Sequence, residues 1–256
     1  MKIMTNNILE GGIDNKGSRI EHIIDVIKEV NPDFVALQEA NNFDKNDNEL
    51  LKTVSSETNL PHYALSPGAP YQDRKPYNVA SLSRYPLREE HTFPESSFQS
   101  AALSVAVDSP LGEISLCNVH LHDSSEAERL KEISVIAKYQ SKHKNYIILG
   151  DLNAISRSDN HRNLSSEESA RHDLTRFDVT DMLSRRYVDV VSHLNVSENC
   201  THPTVGVSHP ISKSSIRIDY IFVTQSLVSN IRSGAIIKTK TSDVASDHYP
   251  VVVTLS

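Results

Sequence analysis

A chain of 256 residues with 38% apolar and 23% charged side chains can bury a sizeable core, and this composition excludes disordered, fibrous and membrane-embedded classes. Its formal charge of −7 argues against a protein that coats nucleic acid through a basic surface. The same charge is compatible with an enzyme that meets phosphates through a cation held by acidic ligands.

The N-terminal "MKIMTNNILEGG" reads as a short strand and lacks the apolar h-region of a signal peptide, so a cytoplasmic protein is expected. "RIEHIIDVIKEV" places Ile20, Ile23, Ile24, Ile27 and Val30 on one helical face, and Pro32 ends it. "DFVALQEA" follows as a short buried strand that ends in Gln38 and Glu39. A weaker helical pattern covers residues 45–58. "YNVASLSRYPLREEHTF" is read as two strands broken at Tyr85-Pro86, because the residue before proline leaves the α region.

"AALSVAV" and "EISLCNVHLH" read as a hairpin joined through the turn formers of "DSPLG". "SSEAERLKEISVIAKYQ" opens with Ser124 or Ser125 as N-cap and carries Glu128 in capping-box spacing to Ser125, which predicts a helix burying Leu130, Ile133 and Ala137. "YIILGDLNAIS" is a buried strand that finishes on Gly150, Asp151, Leu152 and Asn153. Gly150 is expected to turn the backbone there, and strand alternation to send Asp151 and Asn153 to one side. A polar connection over residues 155–186, with a helix near "VTDMLSRRYVDVV", precedes three final strands in "SIRIDYIFVT", "IRSGAIIK" and "HYPVVVTLS". No linker, repeat or low-complexity stretch divides the chain, so residues 1–256 are expected to form one domain. Cys117 and Cys200 have no C-x-x-C spacing and are expected to be free thiols.

Asn7, Glu39, His120, Asp151 with Asn153, Asp219, and Asp247 with His248 all fall at or near the ends of apolar runs. Ligands of α/β folds bind where strand ends open into a crevice. A set made only of acids, amides and imidazoles, with no nucleophilic Ser or Cys setting and no phosphate-cradling glycine loop, suits a hard cation such as Mg²⁺.

The ordered motifs "TNNI", "LQEA", "SLSRYPL", "NVHL", "GDLNA", "RIDYIFV" and "SDHYPV" resemble the endonuclease/exonuclease/phosphatase superfamily of metal-dependent phosphoesterases over residues 2–255. The resemblance implies an α/β (α+β) four-layer sandwich, in which two packed mixed β-sheets are flanked by helices. It implies that Asn7, Glu39 and Asp247 hold a Mg²⁺ or Mn²⁺ ion, with Asp151 and Asn153 joining if a second ion binds. It gives Asp151 the attacking water, Asn153 the scissile phosphate and His248 the phosphate oxygens, with Asp219 orienting His248 and His120 facing the phosphate and leaving group. Asn78, Arg84 and Arg157 are candidates for substrate binding, Asn78 either as the group orienting His120 or as a structural amide. His122 is placed in the loop after His120, and His143, His161, His172, His193, His202 and His209 on the surface.

Many nucleases of the superfamily carry Trp before the first Asn. This chain has Asn6 there and no Trp anywhere, which weakens an abasic-site specialist and leaves few aromatic platforms for unstacked bases. Arg74, Lys75, Arg84, Arg157, Arg162, Arg171 and Arg176 are the basic residues expected to track a phosphodiester backbone. A nuclease acting on DNA is the leading expectation. A phosphatase or a phospholipid or sphingomyelin phosphodiesterase is the alternative, and an inactive binding module comes third.

Overall fold

The computed structural model describes every residue except 16, 70–76, 94–100, 141, 160, 162–163 and 208–213. Its strands in chain order are β1 (Lys2–Asn7), β2 (Ile13–Asp14), β3 (Gly17–Ser18), β4 (Phe34–Gln38), β5 (His62–Ser66), β6 (Val79–Ser83), β7 (Leu87–Thr92), β8 (Ala101–Ser109), β9 (Gly112–His120), β10 (Tyr146–Asp151), β11 (Tyr187–Asp189), β12 (Asp219–Thr224), β13 (Ile231–Ile236) and β14 (Val251–Leu255). The helices are α1 (Ile20–Val30), α2 (Glu49–Thr58), α3 (Glu126–Gln140), α4 (Ser166–Arg171), α5 (Asp178–Ser184), α6 (Val190–His193) and α7 (Ser242–Ala245).

Two six-stranded mixed sheets form, ordered β13-β14-β1-β4-β6-β5 and β11-β12-β10-β9-β8-β7. Each contains one parallel pair at its centre, β1 with β4 and β10 with β9, and its other neighbours run antiparallel. Side chains from both sheets interleave between them, including Ile3, Phe34 and Val79 from one and Leu103, Leu116, Ile147 and Ile221 from the other. The outer face of the first sheet packs Met4, Val35 and Leu37 against Ile23 and Ile27 of α1. Ile148, Tyr220 and Phe222 on the outer face of the second pack against Ile133 and Ile136 of α3 and Leu183 of α5. Helices, sheet, sheet and helices make the four layers expected, and burial of these faces supplies the main drive for folding.

Helix α1 occupies the stretch its periodicity requires, and the left-handed Asn31 at φ 49° ends it one residue before Pro32. Ser125 Oγ accepts from Glu128 N at 3.4 Å at the start of α3. The two strands flanking Tyr85-Pro86 fall in different sheets, β6 in the first and β7 in the second. Inside the apolar layer one polar pin joins the sheets: Gln38 Nε2 donates to Asn118 Oδ1 at 2.7 Å, and Asn118 Nδ2 donates to the carbonyls of Leu37 and Ala80. Cys117 is buried and neither cysteine is in a disulfide. No helix among the described residues is long and apolar enough to cross a membrane.

Candidate active site

Each sheet brings three strands to a common mouth. In the first, β1 ends on Asn7, β4 ends beside Glu39, and Asp247 and His248 stand just ahead of β14. In the second, β9 ends on His120, β10 ends on Asp151 and β12 begins with Asp219, and the ladder pairs Asp151 with both His120 and Asp219.

Asp151 is 2% exposed and stands at the middle of the group. Its Oδ2 accepts from Asn7 Nδ2 at 2.9 Å and lies 3.7 Å from His120 Nε2 and 4.0 Å from His248 Nε2. Asn7 Nδ2 also lies 3.1 Å from Glu39 Oε1, so one amide spans carboxylates from both sheets. Glu39 holds a left-handed φ of 55°, uncommon for a side chain of its size. Its Oε2 accepts from Glu10 N at 2.9 Å. Burial pushes the Glu39 carboxyl up, and neighbouring Asp247 adds to the rise against the opposing charge of His120.

His248 donates from Nδ1 to Asp219 Oδ2 at 2.8 Å. Burial alone would lower this imidazole, but Asp219, then Asp247 and Asp151, raise it well above its ordinary value and favour the cation. Burial also works against ionising Asp247, yet the charge of His248 and the hydrogen bond and charge of His202 outweigh it and hold that carboxyl down at about 2. His120 differs from His248: its Nδ1 is buried with no partner among the described residues, and the ring of Tyr77 meets it edge-on at 5.6 Å.

Asn153 reaches the mouth by another route than strand alternation. Strand β10 stops at Asp151, whose Oδ1 accepts from Asn153 N at 2.8 Å in an Asx-type turn, and Asn153 has φ 49°. Its Nδ2 donates to Leu121 O at 3.0 Å.

Asn7, Glu39, His120, Asp151, Asn153, Asp219, Asp247 and His248 are therefore brought together. The three substrate-binding candidates are held elsewhere or otherwise. Asn78 does not orient His120, because its Oδ1 accepts from Gly68 N and its Nδ2 donates to Asp44 Oδ1, each at 3.0 Å. Arg84 follows β6 at the end where Ser83 pairs with Phe34, the far end from Glu39, and is bound to Asp33 and Asn31. Arg157 pairs with Asp181 at 3.1 Å and lies over the ring of Phe177. His122 is in the loop after β9, as expected. Arg74, Lys75, Arg162 and His209 lie outside the described residues.

His202, read from the sequence as a surface residue, is the member that was missed. Its ring lies 4.9 Å from that of His248, and its Nε2 lies 3.7 Å from Asp247 Oδ2. A single histidine in a polar connection, spaced from no other ligand, gives no sequence signal for this. Backbone pairing puts it there, since His202 N donates to Ile216 O and Ile216 N donates to His202 O.

Among solved structures, an endonuclease/exonuclease/phosphatase family protein from Leptotrichia buccalis C-1013-b is similar at 21% identity with a TM-score of 0.72, covering 100% of this chain and 99% of that one. An AP endonuclease from Archaeoglobus fulgidus matches at 16% identity and TM-score 0.72 over 100% and 99% of the two chains. A humanized D. rerio TDP2 with 14 mutations matches at 18% identity and TM-score 0.66 over 100% and 98%. No curated protein matches in sequence. The sequence pattern of one family spans residues 7–248, from the asparagine that bridges the two sheets to the imidazole opposite it, and the chain belongs to that family, the Endonuclease/Exonuclease/phosphatase family.

Proposed function

We propose that the protein is a divalent-metal-dependent phosphodiesterase, and specifically a nuclease that hydrolyses DNA phosphodiester bonds with Mg²⁺ or Mn²⁺. The observation that carries this reading is Asp151, a buried carboxylate held between two imidazoles and an amide where the two sheets open. The donors fit a hard cation. Glu39 and Asp247 are half-buried, Asp247 raises the cost of ionising Glu39, and a cation would offset that cost. When bound, the ion supplies charge compensation and Lewis-acid polarisation at the phosphate.

The chain's own groups divide the remaining work. Asp151 keeps Oδ2 facing the mouth, where it orients a water and takes its proton. Asn7 holds Asp151 and Glu39 in register across the two sheets; its amide nitrogen faces the carboxylates and its Oδ1 accepts from Leu9 N. This makes it a spacer more than a ligand. His248, kept cationic by Asp219, offers its Nε2 proton to a phosphoryl oxygen. Asn153 presents the rest of its amide toward the phosphate, and His120 faces the leaving group.

Similarity of fold to an AP endonuclease and to TDP2 supports a nucleic acid substrate. One observation favours the alternative, a phosphatase or a phospholipid or sphingomyelin phosphodiesterase: Arg84, Arg157 and Arg176 are each engaged by aspartates. Paired in this way, these arginines are less able to track a polyanion. Supercoiled plasmid, bis-p-nitrophenyl phosphate, p-nitrophenyl phosphate and sphingomyelin, each assayed with Mg²⁺ and with EDTA, separate the readings. Cleavage of plasmid and the simple diester is expected. Turnover of the monoester or of sphingomyelin alone would replace the nuclease with the corresponding alternative.

A further inference from the structure

Three donor groups gather on the His248 side of the mouth, one of them the Asp247 that neighbours Glu39. His202, Asp247 and His248 offer ligand atoms that all lie within 4.8 Å of one another. His202 Nε2 is 3.7 Å from Asp247 Oδ2, and His248 Nε2 is 3.9 Å from Asp247 Oδ1. A zinc ion about 2.1 Å from each of three ligands in a tetrahedral arrangement separates them by about 3.4 Å. The two imidazole–carboxylate spacings, one to each oxygen of Asp247, exceed this by a few tenths of an ångström, and one ligand atom from each of the three residues lies within 4.8 Å of the others.

The type of donor also differs from that at Glu39. Two imidazoles and one carboxylate suit zinc and other late first-row ions, whereas Mg²⁺ prefers oxygen alone. Asp219 completes the pattern by accepting from His248 Nδ1 at 2.8 Å, which turns Nε2 toward the ion position as a second carboxylate does behind many zinc-bound histidines.

The mounting of His202 is rigid on both sides. Its backbone pairs with Ile216 at 3.0 and 2.9 Å. Tyr249 N donates to Thr201 O at 2.7 Å, Thr204 N to Asp247 O at 3.0 Å, and Thr204 Oγ1 to Ser246 O at 2.6 Å. The segment bearing His202 is thus laced to the segment bearing the other two ligands, so the three are held in place before any ion arrives. The side chains of His202 and Asp247 are 18% and 14% exposed, so solvent reaches the group.

We propose that His202, Asp247 and His248 form a site for zinc or a similar late first-row divalent ion, sharing Asp247 with the Mg²⁺ or Mn²⁺ position at Glu39 but adding two imidazoles of its own. Filling it takes up His248 Nε2, the nitrogen that faces phosphate in the proposed reaction, so the ion inhibits. The inhibitory consequence rests on that reaction, and the binding does not.

The test titrates Co²⁺ into Mg²⁺-saturated wild-type protein and into His202→Ala and His202→Phe, each checked for folding by circular dichroism. Ligand-field absorption reports binding and Zn²⁺ competes for it. One equivalent of Co²⁺ in a low-coordinate environment, displaced by Zn²⁺ and weakened about tenfold or more in both variants, is expected. Whatever Mg²⁺-supported hydrolysis each variant retains should lose its sensitivity to Zn²⁺. Binding of Co²⁺ by wild type with no hydrolysis of any substrate would uphold the site and sink the reaction. No Co²⁺ bound by wild type, or binding unchanged in both folded variants, would overturn the site.

Discussion

Gly150 shows how a residue legible in sequence can have a different physical reason in the fold. It sits within β10, not in a turn, with φ 141°, and a Cβ placed on it would lie 2.0 Å from the carbonyl oxygen of Val119. The glycine allows the close approach of β9 and β10 that sets Asp151 beside His120. Gly150→Ala is expected to lower stability by about 1–3 kcal/mol by overpacking, read from urea midpoints, and to lower activity in the fraction that stays folded. Glu39 and Asn153 carry positive φ values that no sequence pattern announces, and strain of this kind collects at functional sites. Glu39→Gln, which keeps the shape and removes the charge, should raise the Mg²⁺ concentration needed for half-maximal hydrolysis by about tenfold or more without changing the melting midpoint much, a shift a metal titration of activity would measure. Burial pushes the Cys117 thiol up to about 12. Since a thiol with a raised pKa is reactive only where pH approaches that value, at pH 8 about one molecule in 10⁴ is thiolate. Native protein should leave Cys117 unmodified by iodoacetamide at that pH, and unfolding in guanidinium should expose it, as peptide mass mapping would show.

Strands built around apolar runs, β4, β8, β9, β10, β12 and β14, could be read directly because a buried strand demands such a run. The short β5 and β11 could not, since "HYALS" and "YVD" carry too few residues for a period to show and their place comes from pairing with β6 and β12. A correspondence between the sheets is likewise invisible in the sequence. Each has a central parallel pair and an antiparallel third strand, and each delivers its polar residues from those three. Loops between elements are fixed by buried charge. Arg217, two residues before Asp219, is fully buried and binds Asp159 in the connection after β10 and Asp189 at the N-terminus of α6, with Asp159 Oδ1 at 2.8 Å and Asp189 Oδ1 at 2.9 Å. Removing it strands two acids. Arg217→Ala should cost about 3–5 kcal/mol of stability, whereas a variant that melts like wild type would show that these loops are held by other contacts.

At the scale of the molecule, two sheets from distant parts of the chain meet face to face, and neither holds a complete site. Asn7 and Glu39 come from one, His120 and Asp151 from the other, and the amide of Asn7 crosses between them. The order of motifs along the chain made this set legible, because residues at strand ends keep their place when the fold is kept. Arg84, Arg157 and Asn78 were less legible: whether a side chain faces a substrate or a neighbouring acid depends on loops that follow no period. His202 was missed for the same reason. Substrate choice belongs to those loops as well.

In the proposed reaction Asp151, between two imidazoles at the junction of the sheets, drives metal-dependent cleavage of phosphodiesters. The most direct measurement compares wild type with Asp151→Asn in nicking supercoiled plasmid DNA under saturating Mg²⁺, with circular dichroism confirming that both are folded. Wild type should nick the plasmid, EDTA should abolish the reaction, and the variant should be slower by about 10²-fold or more. Equal rates in the two proteins, or nicking that persists in EDTA, would rule out this role for Asp151 and for the metal.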